Sequence, residues 1–295
     1  MNSEGVIIKG YNGFYYVWDG NKEWECSLRG KFRKKNQTFL PGDRVRFTIL
    51  DEQGNKAVIE SVMTRQTEMT RPSIANIQQV VIVIAVTNPQ PDLWLLDRLL
   101  IMSQFQGLTP IICFNKADLL PDDEVKRLEA AYTATGIPVF ITSGKQGGGL
   151  AGLKGILKDK ISVLAGPSGV GKSSLLNAIE KELCLKTGEI SEKLARGKHT
   201  TRHVELIRLA DGGFLADTPG FSQIFLPKEL KREDLIGFYP EMEGYRPLCK
   251  FNTCLHRDEP FCAVREALGK GLIDEGRYER YRVLLEEVIR EERRF

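Results

Sequence analysis

Residues Ile161-Ser162-Val163-Leu164-Ala165 run into Gly166-Pro167-Ser168-Gly169-Val170-Gly171-Lys172-Ser173-Ser174. A short apolar strand, a turn of the form Gly-x-x-x-x-Gly-Lys-Ser and a helical run to Leu183 follow one another there, which is the context a phosphate-binding loop needs. Glycines let backbone N–H groups turn inward around phosphate oxygens, and the helix N-terminus adds a favourable dipole. Lys172 is expected to neutralise β- and γ-phosphates, and the Ser173 hydroxyl to ligate Mg²⁺. Gly166, Pro167, Ser168, Gly169, Val170, Gly171 and Ser174 complete the expected phosphate contacts.

A phosphate loop alone does not distinguish ATP from GTP. Upstream of it, after the apolar run Pro110–Phe114, stands Asn115-Lys116-Ala117-Asp118. A buried carboxylate at Asp118 can accept from both N1–H and the exocyclic amine of guanine, and adenine would leave it unpaired. Asn115 is expected at the other edge of the base, and the stem of Lys116 over a ring face. Ser143, Gly144 and Lys145, after the next strand, are further candidate base contacts. Downstream, Asp217-Thr218-Pro219-Gly220 ends the strand Phe214–Ala216. Asp217 is expected to hold Mg²⁺ through a water and the Gly220 N–H to sense the γ-phosphate. Between these motifs lies Arg196-Gly197-Lys198-His199-Thr200-Thr201. It has the character of a switch loop, in which Thr200 or Thr201 supplies a Mg²⁺ ligand. Phe221 occupies the position where many GTPases carry a water-orienting glutamine, so His199 is the candidate catalytic residue in its place. The base-reading tetrapeptide precedes the phosphate loop, the reverse of the usual order.

Outward from this core the chain changes character twice. Residues 1–65 hold five short alternating stretches separated by Asn12-Gly13, Asp19-Gly20, Pro41-Gly42-Asp43 and Gly54-Asn55, the pattern of a small all-β barrel of the OB type. A polar connector covers about 64–76. From Ile77, near-continuous apolar strands alternate with helical patterns, which implies a doubly wound, mostly parallel α/β sheet. From about 227 the chain reads as short helices, ending in an amphipathic one with Tyr278, Tyr281, Leu285, Val288 and Ile289 on one face. The expected domains are 1–67, 68–226 and 227–295.

Cys249-x4-Cys254-x-His256-x5-Cys262 gathers four soft ligands within the last of these. Three thiolates and an imidazole fill a tetrahedral Zn²⁺ shell and leave no place for water, so one structural zinc is expected. Cys26, Cys113 and Cys184 read as buried thiols. The net charge is +3, but residues 1–65 carry 11 Lys+Arg against 8 Asp+Glu. Much of that excess lies in Arg29, Lys31, Arg33, Lys34 and Lys35, and Phe32 among them is a candidate base-stacking platform for RNA. A solvated basic loop is the competing reading. The longest apolar run, Val80–Val86, is too short to span a bilayer, and the first residues lack signal-peptide character. A cytoplasmic protein with no membrane association is expected.

In this order the features resemble the ribosome-small-subunit-dependent GTPase A (RsgA) family of circularly permuted GTPases. The likeness covers nearly the whole chain and rests on the barrel, Asn115–Asp118 ahead of Gly166–Ser173, Gly197–Thr201, Asp217–Gly220 and the Cys249/Cys254/His256/Cys262 module. It implies a late assembly factor that binds GTP, GDP, the 30S subunit and 16S rRNA, hydrolyses GTP faster on the subunit and then departs. A monomer is the default. The alternatives are an rRNA-binding scaffold ordered by GTP with negligible turnover, and a P-loop kinase. Asn115–Asp118 and Asp217–Gly220 argue against the kinase.

Overall fold

The computed structural model describes residues 2–30, 32, 38–70, 72–187, 204–217 and 225–293, with backbone only at 2, 70, 180–187 and 217. The chain divides into two compact units. The first takes Met1–Val80, Leu150–Ala165 and Lys172–Gly220; the second takes Val81–Gly149, Gly166–Gly171 and Phe221–Phe295.

The first unit opens with β1 (Asn2–Tyr11), β2 (Phe14–Trp18), β3 (Glu23–Leu28), β4 (Arg44–Asp51) and β5 (Lys56–Val62). They close into a barrel in the order β1-β2-β3-β5-β4, with β3 and β5 parallel and the other pairs antiparallel. The β1–β2 hairpin turns at Asn12 and Gly13, whose φ values of 51° and 81° are what a two-residue turn matching strand twist demands. Alternation sends Ile7, Val17, Trp24, Cys26, Val45, Phe47 and Ile59 into the core.

The connector expected at 64–76 is more structured than its polarity suggests. It forms the hairpin β6 (Glu68–Thr70) and β7 (Ser73–Ala75), anchored by Ala75 N–H donating to Pro41 O at 2.8 Å. Three-residue strands are too short to show a period. Gly42, at φ 93°, lies so close that a Cβ would sit 1.9 Å from Ala75 O. Beside it the buried Asp43 accepts from Arg65 at 2.7 and 2.9 Å and from Leu40 N at 2.8 Å.

Strand β8 (Gln79–Ala85) is buried along its whole length, as a strand covered on both faces should be. Later in the chain, β11 (Ile161–Ala165) pairs in parallel with β13 (Phe214–Asp217), and β12 (Ile207–Arg208) runs antiparallel to β13. In the second unit, β9 (Thr109–Asn115) lies beside β8 and pairs in parallel with β10 (Val139–Ile141). The helices of this alternating region are α1 (Leu93–Phe105), α2 (Asp122–Thr133), α3 (Leu150–Leu157) and α4 (Lys172–Thr187). Asp92 starts α1 by accepting from Leu95 N at 2.9 Å, which satisfies one of the first-turn N–H groups.

The second unit ends in short turns and α5 (Pro240–Glu243), α6 (Ala263–Gly269) and α7 (Glu275–Glu292). Tyr278, Tyr281, Leu285, Val288 and Ile289 are all buried on one face of α7, as their spacing predicts. That face packs with Leu235, Tyr239, Met242, Val264 and Ile101 of α1. A buried ionic cluster joins the same helices. Asp97 of α1 receives Arg277 Nη1 at 2.6 Å, Arg280 Nε at 2.7 Å and Tyr132 Oη at 2.9 Å, and Arg277 Nε reaches Glu241 at 2.8 Å. Among the described residues no helix is long and apolar enough to cross a membrane.

Candidate functional site

The Gly166–Gly171 loop leaves β11 and leads directly into α4 at Lys172. Gly166, Gly169 and Gly171 have φ values of 131°, 81° and 93°, a region closed to residues with a Cβ at ordinary cost. Gly166 has a second constraint, since a Cβ there would lie 2.2 Å from Val83 O. Ser168, Gly169, Ser173 and Ser174 are exposed, whereas Val170 is 1% exposed and turns its side chain into the fold. Asp217 ends β13 in register with Leu164 of β11.

Asn115 ends β9, 1% exposed. Its Oδ1 accepts from Thr142 Oγ1 at 3.1 Å and from Gly144 N at 3.0 Å, while its Nδ2 donates to Val170 O at 2.9 Å. One amide therefore ties the glycine loop to the Thr142–Lys145 segment. The sequence reading places this side chain at a base edge; the structure shows that it also bonds to the protein on both sides. Ser143 Oγ donates to Asp118 Oδ1 at 2.5 Å and accepts from Gln146 N at 3.0 Å. Asp118, expected to be buried, is only half-buried, and its Oδ2 has no hydrogen bond to a described residue. Lys116 sits in the left-handed region at φ 64°, and its ammonium donates to Asn88 O. Lys145 is exposed. The structure thus gathers Asn115, Lys116, Asp118, Ser143, Gly144 and Gly166–Gly171 in one place. Gly220, His199, Thr200 and Thr201 lie outside the described residues.

Cys249, Cys254, His256 and Cys262 also converge, their ligand atoms all within 4.8 Å of one another. His256 Nδ1 lies 3.5 Å from Cys249 Sγ and 3.4 Å from Cys262 Sγ, close to the roughly 3.5 Å edge of a tetrahedron around zinc with one N and three S ligands. Burial pushes the imidazole down to about 4, so at neutral pH it is uncharged and its lone pair is available. Burial likewise pushes the metal-free Cys254 thiol up to about 12, so metal binding must displace its proton. The donor set fits one structural zinc. The loop that carries it is braced by α7: Tyr278 Oη donates to His256 O at 2.6 Å and Tyr281 Oη to Leu255 O at 3.0 Å. The sequence marked both tyrosines as core residues, and only their hydroxyls could have hinted at this second task.

The proposed RNA face needs correction. Phe32, expected to stack on a base, is buried in the barrel core and meets Phe39 edge-on at 5.3 Å. Its aromatic area is worth more there than in water, and it cannot act as an exposed platform. Arg29 is half-committed, with Nη2 2.5 Å from Glu60. Lys31, Arg33, Lys34 and Lys35 lie outside the described residues. Cys26 and Cys113 are buried, as expected; the Cys184 side chain is not described.

Comparison with known proteins gives a consistent result. Residues 61–227 match the family described as RsgA GTPase, and residues 4–59 match the RsgA N-terminal domain. A protein of Moorella thermoacetica named small ribosomal subunit biogenesis GTPase RsgA is 49% identical, with 99% of each chain covered. Its namesake from Alkaliphilus metalliredigens is 45% identical, again with 99% of each chain covered. Among solved structures, YjeQ from Thermotoga maritima superposes with a TM-score of 0.78 at 35% identity, covering 98% of this chain and 99% of that one. YloQ, described as a circularly permuted GTPase, gives 0.78 at 37% identity, covering 98% and 95%. Matched along nearly its whole length by sequence and by fold, this chain belongs to the RsgA GTPase family.

Proposed function

We propose that this chain hydrolyses GTP to GDP and phosphate as a cytoplasmic, monomeric maturation factor of the small (30S) ribosomal subunit. Hydrolysis is stimulated by the subunit and coupled to release. The observation that supports this reading is the Asn115 amide, which holds the glycine loop and the Thr142–Lys145 segment together, as a single guanine-nucleotide site would require. The names and family of the relatives supply the ribosomal context.

In this reading Asp118 Oδ2 takes the guanine donors while Ser143 fixes the other carboxylate oxygen. The backbone of Gly166–Gly171 cradles phosphate oxygens, and Lys172 neutralises their charge. Ser173, Asp217 and one of Thr200 and Thr201 hold Mg²⁺, which would neutralise charge developing on the phosphates. His199 orients the attacking water, and Gly220 reports the γ-phosphate. The protein mainly positions groups and stabilises charge. The domains are 1–67, 68–226 and 227–295, and the basic segment Arg29–Lys35, without Phe32, contacts 16S rRNA.

The test is GTP turnover with and without purified 30S subunits. The wild type should accelerate on the subunit, Lys172→Ala should be inactive in both conditions, and His199→Ala should lose turnover while holding GTP normally. No hydrolysis under either condition, or equal affinity for ATP and GTP, would refute the reading.

A further inference from the structure

Away from both sites, the first unit holds a cleft of about 740 Å³, within the size range of small-ligand pockets. Its floor is a row of outward-facing side chains on the barrel. Val6 is in register with Trp18 of β2 on one side and with Arg44 of β4 on the other. The next residues, Ile7, Val17 and Val45, are fully buried, so alternation turns the row itself outward. Two strand spacings place Trp18 and Arg44 roughly 10 Å apart. The wall is the β12–β13 turn, pinned to the barrel by Leu206 N donating to Ile8 O at 2.8 Å. From that wall the Arg208 guanidinium lies 3.7 Å from the centroid of the Trp18 ring.

Charge in the cleft is arranged unevenly. Each lining carboxylate is already engaged: Glu4 by Arg46 at 2.8 Å, Glu23 by Lys9 at 3.3 Å, and Asp19 by the N–H groups of Asn21, Lys22 and Trp24 at 2.7–2.8 Å. Arg44 and Arg208 line the same cleft with no carboxylate partner among the described residues. An indole fixes one face of the Arg208 guanidinium, which leaves the opposite face for a flat ring. Arg44 stands along the row with its donors uncommitted, and guanidinium geometry suits a phosphate.

We propose that this cleft binds a nucleotide unit, its base stacked on the Arg208–Trp18 pair and its phosphate held by Arg44. This second site is independent of the guanine-nucleotide reading and shares no residue with it. The same chemistry is offered by a free mononucleotide and by one residue of a single strand.

The experiment uses the full chain saturated with GDP, so that the guanine-nucleotide site is filled. The probes are 5′-UMP and a fluorescently labelled hexauridylate. Wild type should bind the hexamer, and Arg208→Gln and Arg44→Gln should each weaken it by about tenfold. Lys126→Gln, an exposed charge removal on α2, should not. Arg208→Lys, which keeps charge but loses the flat face, should still bind less well than wild type. A direct readout needs no variant: of the three tryptophan indole N–H signals in the ¹⁵N spectrum, that of Trp18 should shift on adding either probe while that of Trp94 stays fixed. If UMP alone saturates the shift at micromolar concentration, the source is a free nucleotide; if only the hexamer does, it is a strand. Absence of binding by both probes, an unmoved Trp18 signal, or equal weakening by Lys126→Gln would overturn the proposal. GTP turnover, measured alongside, reads the other site and fails or holds independently.

Discussion

The barrel and the C-terminal helices solve the same problem by opposite means. The barrel pairs every strand edge with another strand and fills the interior with residues such as Val17, Trp24, Phe47 and Ile59, each at most 1% exposed. The helical segment has short pieces, of four, seven and eighteen residues, that cannot bury enough surface alone. Its apolar core around Tyr239, Tyr281 and Leu285 is therefore cross-linked as well, by the Cys₃His cluster and by Asp97 between Arg277 and Arg280. A closed sheet tolerates local change because its ladder is continuous. A set of cross-linked helices depends on a few bonds.

Metal removal should separate the two regions most sharply. Structural zinc contributes about 10–16 kcal/mol of apparent binding energy in small zinc modules. A chelator should therefore release one zinc per chain and open residues 225–293 to limited proteolysis, while the barrel keeps its own unfolding transition. Cys254→Ala should do the same without chelator. If the helical segment stays protease-resistant after zinc loss, the contrast is wrong.

A near-isosteric pair sharpens it further. Asp97→Asn keeps shape but takes the carboxylate from the buried Arg280 and leaves Arg277 with Glu241 alone, and breaking one side of such a cluster costs about 3–5 kcal/mol. Phe47→Leu in the barrel keeps the site apolar and loses modest volume, and should cost about 1.5 kcal/mol. Urea denaturation of the two variants measures the difference, and equal values would erase the distinction.

The last effect is absent at neutral pH and appears only in alkali. Burial pushes the thiols of Cys26 and Cys113 up to about 12 from 9.0. The folded state prefers the neutral thiol, so this stabilisation is intact below pH 9 and drains away between pH 9 and 12 as the unfolded chain ionises more readily. Neither thiol should react with a disulfide reagent at pH 8 in the zinc-loaded protein, whereas chelation should expose Cys249, Cys254 and Cys262. A gradual loss of denaturation midpoint above pH 9 is the companion measurement.

Much of this was legible in the sequence because the signals are local. The glycine loop, Asn115–Asp118 and the Cys/His spacing each lie within a few residues, and the five barrel stretches carry their own turn signals. What could not be read depends on distant partners or on position in the core. Asp97 meets Arg277 across 180 positions, and nothing in either neighbourhood announces it. Phe32 was misread because basic neighbours suggest exposure, while its packing against Phe39 decides otherwise. The β6–β7 hairpin was hidden by brevity, although Ile74 and Ala75 are fully buried. Asn115 also ties the glycine loop to the Thr142–Lys145 segment, a bond the sequence does not announce because it gives a residue's chemistry but not its distant partners.

The close approach of Gly171 to Asn115 binds the fates of two motifs that stand more than fifty positions apart. A methyl group at 171 would come within 2.5 Å of the Asn115 Nδ2, so alanine there would damage the base-reading strand end as well as the loop that carries it. A change of volume at either position is felt at the other.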